Sequence, residues 1–390
     1  MRYVKHPGLG AFICLLGAVA IPAQRAAAQM PGEAVLGGGL CRPEVAANVR
    51  PYVSQSKHPS PRLYAMADGL FLMRDPDGRR NFAVLKTIEE PVEEGGEPTV
   101  NRTTMLGTQH LDFNFQEGAR VLLGLRLGEN FGVESVFFGS YDWTESAAVG
   151  DNTLTSEGLP DGADPIAGSL ASPFTNFGDP DQVEGLDFNN FASIRDYSTF
   201  WNIEWNLRHT LRMPPGPLQA SVLVGGRYAR ITEQFDYFTR SLRPEPTGTV
   251  NQVRTRVDND MIGAQLGALI EYRLREECWL DFEIKGALMK NYASQATRYV
   301  RTGEMDIDSL TSADNDVAII LGDLSLSFVY QFSPAMTFRA GYNAIWIDGL
   351  ALGYRNFNSD VGLLETGPGQ LDHEGKVVYH GPHIGLIFAW

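Results

Sequence analysis

Residues 379–390 read YHGPHIGLIFAW, and the sequence stops on that tryptophan. Ile384, Leu386, Phe388 and Trp390 stand two apart, so a β-strand would point all four to one side. His383 and Gly385 fall on the other side, where Ile387 and Ala389 blur the contrast. An apolar strand face at a chain end needs a partner surface. A second sheet supplies one in a soluble sandwich. Lipid supplies one in a membrane barrel, with the terminal aromatic in the interfacial girdle. Taken alone, the stretch reads as the last core strand of a soluble β-domain. The rest of the chain reverses that reading.

Outward from this stretch the same period of two recurs. Tyr197, Trp201, Ile203, Trp205 and Leu207 oppose Asn202, Glu204, Asn206 and Arg208. Phe113, Phe115, Leu123, Leu125 and Leu127 oppose Arg120 and Arg126. Val133, Phe137, Tyr141 and Trp143 oppose Glu134 and Asp142. Further along, the apolar residues take even numbers. Those of 218–228 oppose Arg227, and those of 262–272 oppose Gln265, Glu271 and Arg273. Those of 280–288 oppose Asp281, Glu283 and Lys285; those of 320–332 oppose Asp323; those of 338–346 oppose Arg339. A weaker first member at 63–74 and the closing stretch bring the count to about ten strands. Each reaches the roughly 9–11 residues a tilted strand needs to cross a bilayer, whereas soluble strands average about 5–6.

The breaks between strands alternate in length. Tight turns at 128–130, 212–217, 274–277 and 333–335 alternate with long polar stretches at 75–111, 144–196, 233–258, 296–316 and 349–376. Short turns on one side and long loops on the other mark an outer-membrane barrel, with the tight turns on the periplasmic side. The aromatics sort into two levels. Tyr272, Tyr330, Phe332, Phe338 and Trp390 lie by the tight turns, and Tyr141, Trp143, Tyr197, Tyr228 and Trp346 at the opposite ends. Two interfaces account for two belts. The expectation is an all-β, antiparallel transmembrane outer-membrane β-barrel over 63–390 with about ten strands. It becomes twelve if Asn81 to Lys86 and Thr103 to Gln109 add a further pair.

The chain begins with a basic start (Arg2, Lys5), an apolar run from Leu9 to Ile21 and Ala26-Ala27-Ala28, which together read as a signal peptide over 1–28. Its removal takes three basic residues and no acidic ones, so the net charge moves from −15 to −18. That balance argues against nucleic acid as a partner. Residues 29–62 read as a flexible periplasmic lead-in. Cys41 and Cys278 are the cysteines left after the signal, too few for a disulfide framework, and a bridge between them is left open.

Five segments carry a family likeness: TFWNIEWNLRHTL at 199–211 with LQASVLVGGRYARITEQFDYF at 218–238, MIGAQLGALIEYRLREECWLDFEIKGAL at 261–288, LSFVYQFSPAMTFRAGYNAIWIDGL at 326–350, and the closing YHGPHIGLIFAW. Across about 63–390 the chain resembles the beta-barrel porin-7 family of planctomycete outer membranes. The resemblance implies an outer-membrane barrel with a pore-like role and brings no catalytic residues with it.

The candidate site is the inward face. Arg120, Arg126, Arg208, Arg227, Arg273, Lys285 and Arg339 share it with Glu134, Glu204, Glu271, Asp281, Glu283 and Asp323. Charges away from water need partners. Such a set either lines a charged channel or fills a narrow barrel, because barrels of about eight strands are filled and those of about 16–18 are open. No metal site is read: His380 and His383, three apart, fall on opposite faces of a strand. The acidic 144–196 loop leaves calcium open but lacks an EF-hand spacing. No nucleophile elbow, P-loop or paired-cysteine motif is present, so the reading is non-enzymatic and without cofactor. The expected function is a narrow porin for passive diffusion of small solutes or ions. The alternative is a structural anchor or display barrel with a closed, salt-bridged lumen. The expected partners are outer-membrane lipid and the barrel-assembly machinery, engaged through the strand ending at Trp390.

Overall fold

The computed structural model describes residues 62–89, 99–155, 164–243, 248–303 and 305–390. The signal peptide, the lead-in before residue 62 and Cys41 lie outside the described residues. Cys278 carries a free thiol.

The outward apolar positions predicted from alternation do form strands. The described strands are β1 (Leu63–Pro76), β2 (Asn81–Glu89), β3 (Thr99–Gly107), β4 (Gln116–Arg126), β5 (Phe131–Gly150), β6 (Leu154–Thr155), β7 (Ile166–Ala167), β8 (Leu170–Ala171), β9 (Asn189–Thr210) and β10 (Leu218–Ser241). They continue with β11 (Thr249–Arg273), β12 (Cys278–Thr302), β13 (Ile307–Ser333), β14 (Met336–Leu350) and β15 (Gly375–Ala389). One short helix, α1, spans Val361–Thr366.

Ten of these strands form a closed antiparallel ring in the order β1-β4-β5-β9-β10-β11-β12-β13-β14-β15. The ring closes where β15 pairs with β1, with Ala389 opposite Tyr64. The Trp390 N–H donates to the Leu63 carbonyl at 3.0 Å, and the Leu63 N–H donates to the Trp390 carbonyl at 3.2 Å. Closure removes the exposed edges that an open sheet leaves. The suspected pair at 81–86 and 103–109 does form, as the β2–β3 hairpin. Among the described residues its strand pairing to the wall runs through β8, which pairs with β9 at Leu170 and Asn189, so it adds no strand to the ring.

Two loop expectations are corrected. Stretches 233–258 and 296–316 are largely strand, because β10 to β13 run on for 24, 25, 25 and 27 residues. At about 3.3 Å per residue such strands are about 80 Å long, far beyond an apolar band of roughly 25 Å. Their outer faces change character at one level. From 218 to 228, 262 to 272, 280 to 288 and 318 to 332 the outward positions carry no charge. Just beyond, after Lys290 on β12, Arg230, Asp260, Tyr292 and Asp316 stand side by side in register across the four strands. Beyond that line the outer face is laced with ion pairs, among them Arg254–Asp236 at 2.6 Å and Arg298–Asp308 at 2.7 Å. The line marks the upper edge of the lipid band, and the barrel stands on above it.

Two side chains are also corrected. Trp143 points into the barrel, fully buried, while Asp142 is outside and accepts a hydrogen bond from Tyr197 at 3.2 Å. The cause is a β-bulge between Gly139 and Tyr141, which reverses the faces of everything after it. Gly139 sits at φ +148°, where a Cβ would lie 2.4 Å from that of Trp201. Phe113 precedes β4 and is buried under the Arg74 guanidinium, 4.6 Å from its ring centre. The side chain of Tyr141 lies outside the described residues.

Candidate functional site: the barrel lumen

Inward positions of the ring carry two unlike layers. The layer within the lipid band is ionic. Arg120 forks onto Asp68 at 2.9 and 2.6 Å, and Arg339 lies 3.8 Å from the same carboxylate. Arg208 meets Glu134 at 2.8 and 3.0 Å, and Tyr64 donates to Glu134 at 2.6 Å. Glu204 faces both Lys285, at 3.2 Å, and Arg227, at 3.6 Å. Asp323 takes Arg227 at 3.4 Å and Lys285 at 3.6 Å. Glu283 lies 3.8 Å from Arg208 and 3.9 Å from Lys285. Gln265 donates to Glu204 at 3.0 Å and to Asn206 at 2.6 Å.

The structure puts every sequence-selected charge at an inward position. Arg126, Arg273 and Glu283 are half-buried, and Arg120, Glu134, Glu204, Arg208, Arg227, Glu271, Asp281, Lys285, Asp323 and Arg339 are buried. Glu271, Asp281, Arg126 and Arg273 occupy the end nearest the tight turns. Sequence reading missed Asp68; it put Ser327, Asn343 and His383 on the inward face without counting them among the charged site residues. Asp68 was hidden because β1 turns Tyr64, Met66, Leu70 and Leu72 inward as well, so its alternation carries no polarity contrast. At the same end Tyr64, Met66, Leu122, Val136, Ile387 and Ala389 pack as a small apolar cluster.

The layer above is apolar and aromatic. It joins wall residues such as Phe138, Trp143, Phe200, Phe235, Tyr237 and Tyr379 to loop residues Phe82, Leu352 and Phe357, with Phe174 packed against them. Hydrogen bonds stitch the layer together. Tyr237 donates to the Phe82 carbonyl at 2.8 Å, and between two wall strands Trp143 donates to the Leu72 carbonyl at 3.2 Å. The Asn259 amide pairs with the backbone of Ala351 in both directions, at 2.8 and 2.9 Å. Arg74 pairs with Glu233, and with Asp196 at 3.4 Å, while Glu233 accepts the Gly353 N–H at 2.8 Å.

Chemically the ionic layer holds buried charge in opposite-sign contact. Ser327 Oγ lies 3.0 Å from His383 Nε2, the reach of a nucleophile and its base. His383 Nδ1 has no hydrogen-bond partner, and Arg339 crowds the same Nε2 at 3.3 Å. The third group that orients such a base is missing among the described residues. His380 sits on the opposite face, hydrogen-bonded to Tyr342 at 2.7 Å. Among the described residues no group of three or more His, Cys, Asp or Glu is placed to hold a metal. In the acidic loop, Asp187 accepts from the backbone of Ser172 and Val183 at 2.8 and 3.0 Å and from Thr175 at 2.8 Å. Burial pushes its carboxyl up against the pull of those three donors. Asp179 pairs with Arg102 at 3.1 Å.

Among solved structures the chain is similar to the outer membrane protease OmpT of Escherichia coli, at 9% identity and a TM-score of 0.39, over 84% of this chain and 97% of that one. It is also similar to the translocator domain of the autotransporter NalP of Neisseria meningitidis, at 11% identity and 0.30, over 86% and 90%. A Pseudomonas aeruginosa FadL homologue follows at 8% and 0.23, over 84% and 90%. A search of curated proteins gave no match. The family model described as "Putative beta barrel porin-7" matches residues 64–374. With its closed ten-strand ring and lipid-facing band, this chain is a bacterial outer-membrane β-barrel and belongs to the beta barrel porin-7 family.

Proposed function

We propose that the protein is a closed-bore barrel that anchors a β-built platform at the cell surface, without catalytic activity. One observation carries this reading. The charges of the ionic layer meet across the bore from different strands, with side chains of Glu204, Arg227, Lys285 and Asp323 only 0–7% exposed. A ten-strand ring lies near the size at which side chains fill the interior. The aromatic layer closes the same bore a second time.

The test is planar-bilayer conductance of refolded protein, with heat-modifiable migration on a gel as proof of folding. The platform reading expects folded protein with no steady conductance. A small, steady conductance would overturn it in favour of the narrow pore. That second reading draws on the family description and on the half-buried charges Arg126, Arg273 and Glu283, which admit water from the tight-turn end. The barrel-assembly machinery is proposed to take the chain by β15 and Trp390, whose outward Ile384, Phe388 and Trp390 are exposed for lipid.

A further inference from the structure

Above the lipid band, the segment after β14 folds back over the inner faces of β12 and β13 and leaves a cavity of about 220 Å³. It is smaller than the roughly 300–1,000 Å³ of drug-sized sites. Its lining includes Arg80, Gln295, Thr297, Arg355, Phe357 and Ser359, with Asp372 as its one carboxylate. It is separate from the ionic layer, whose residues take no part in it.

Two of these side chains have unmet bonding capacity. Arg80 donates to the carbonyls of Tyr354 and Arg355 at 3.2 and 3.3 Å and lies over the Phe357 ring at 4.9 Å. Among the described residues no carboxylate comes within ion-pair distance of it. Asp372 is held by Arg355 instead, at 3.0 Å. Burial and the neighbouring Arg355 charge disfavour the charged form of Arg80, and the Asp372 carboxylate offsets them only in part, so a further anion there relieves the remaining repulsion. Gln295 is 5% exposed and donates its amide to Thr297, yet its Oε1 has no partner. Turning the amide over would leave an unpaired NH₂ in its place, so one arm lacks a partner either way. A buried amide oxygen without a donor is costly, and a ligand hydroxyl answers it.

We propose that this cavity binds a small hydroxylated carboxylate of monosaccharide size from the external medium. The carboxylate pairs with Arg80, hydroxyls meet Gln295, Thr297 and Ser359, and the C–H face lies on Phe357. Charge alone would suit acetate, and hydroxyls alone would suit a neutral sugar. The site combines both demands.

The experiment is calorimetric titration of refolded, heat-modifiable full-length mature protein in detergent with D-glucuronate, D-glucose and acetate. Glucuronate is expected to saturate, with glucose and acetate each weaker by about tenfold or more, since either loses a set of hydrogen bonds. Arg80→Ala should weaken glucuronate by at least about tenfold. Gln295→Glu, which sets a carboxylate beside Arg80 while keeping the side-chain size, should abolish binding and leave the gel shift intact. Absence of saturable glucuronate binding overturns the proposal, as does undiminished binding to both folded variants. Acetate binding as tight as glucuronate overturns the hydroxyl half of it.

Discussion

The two halves of the bore are filled by different means. In the lower half the filling groups arrive on wall strands, and most of the charges meet an opposite charge from another strand, as Arg208 of β9 meets Glu134 of β5 and Lys285 of β12 meets Glu204 of β9. In the upper half the wall supplies aromatic rings and one buried ion cluster, Arg74 with Glu233 and Asp196, and loops supply the rest: Phe82, Phe174 and Phe357. The lower closure is a property of the ring itself. The upper one is a cover laid into it. Removing a group from the floor leaves a buried charge without its partner, whereas removing one from the cover leaves a hole beneath a loop.

The sharpest way to break this contrast is Glu204→Gln. It strips Arg227 and Lys285 of a shared carboxylate, and breaking a buried pair costs about 3–5 kcal/mol. The urea midpoint for the folded barrel in detergent should fall by a corresponding amount, and an unchanged midpoint would mean that the floor is not held by its charges. Adding Asp281→Asn and Glu283→Gln leaves arginines in excess, so any conductance that then appears should favour anions. Next comes Phe357→Ala, worth about 3 kcal/mol for a buried ring but confined to the cover. Protease on intact cells should cut within 351–374 faster while the heat-modifiable band persists. A wall that melts with the cover would show the two halves to be one unit.

The smallest expected effect lies at the loop rim. Asp151 accepts from the Thr153 and Ser169 N–H groups, both at 2.8 Å. Burial raises its carboxyl somewhat, and these donors outweigh that, so it is held below its ordinary value. Its contribution is therefore present above about pH 4, the unfolded value, and fades as pH falls through the lower folded value. Because the group is largely exposed, screening limits this to about 0.5 kcal/mol or less. Hydrogen-exchange protection of residues 164–171 should drop in Asp151→Ala at neutral pH and match the parent near pH 3. A difference that persists in acid would assign the effect to packing instead.

The ring was legible because lipid demands apolar groups at alternate positions, which 262–272 and 280–288 display without exception on their outer faces. The upper parts of the same strands were not. On β10 the outward apolar set ends at Tyr228, and beyond it the apolar residues Ile231, Phe235 and Tyr237 face inward while Arg230 and Asp236 face water. The parity of the apolar residues inverts where the solvent changes, and a reading that follows one parity stops there. Trp143 was misplaced for a related reason: the Gly139 bulge adds a residue, and nothing in the alternation announces it. The lumen charges could be read from their strands. Their partners could not, because Asp68 sits in a strand with no contrast and the cover comes from loops whose insertion is a tertiary fact.

That inversion also acts as a proofreading device during assembly. A strand that slips by one residue exchanges its two faces along its whole length. On β10 a slip would turn Arg227 toward lipid at one end and, at the other, Phe235 and Tyr237 toward water, with Arg230 and Asp236 drawn into the aromatic layer. Neither solvent tolerates the error, and they reject it independently. A barrel confined to the bilayer has its register checked once; here β10 is checked twice, by two media that want opposite things from the same alternation.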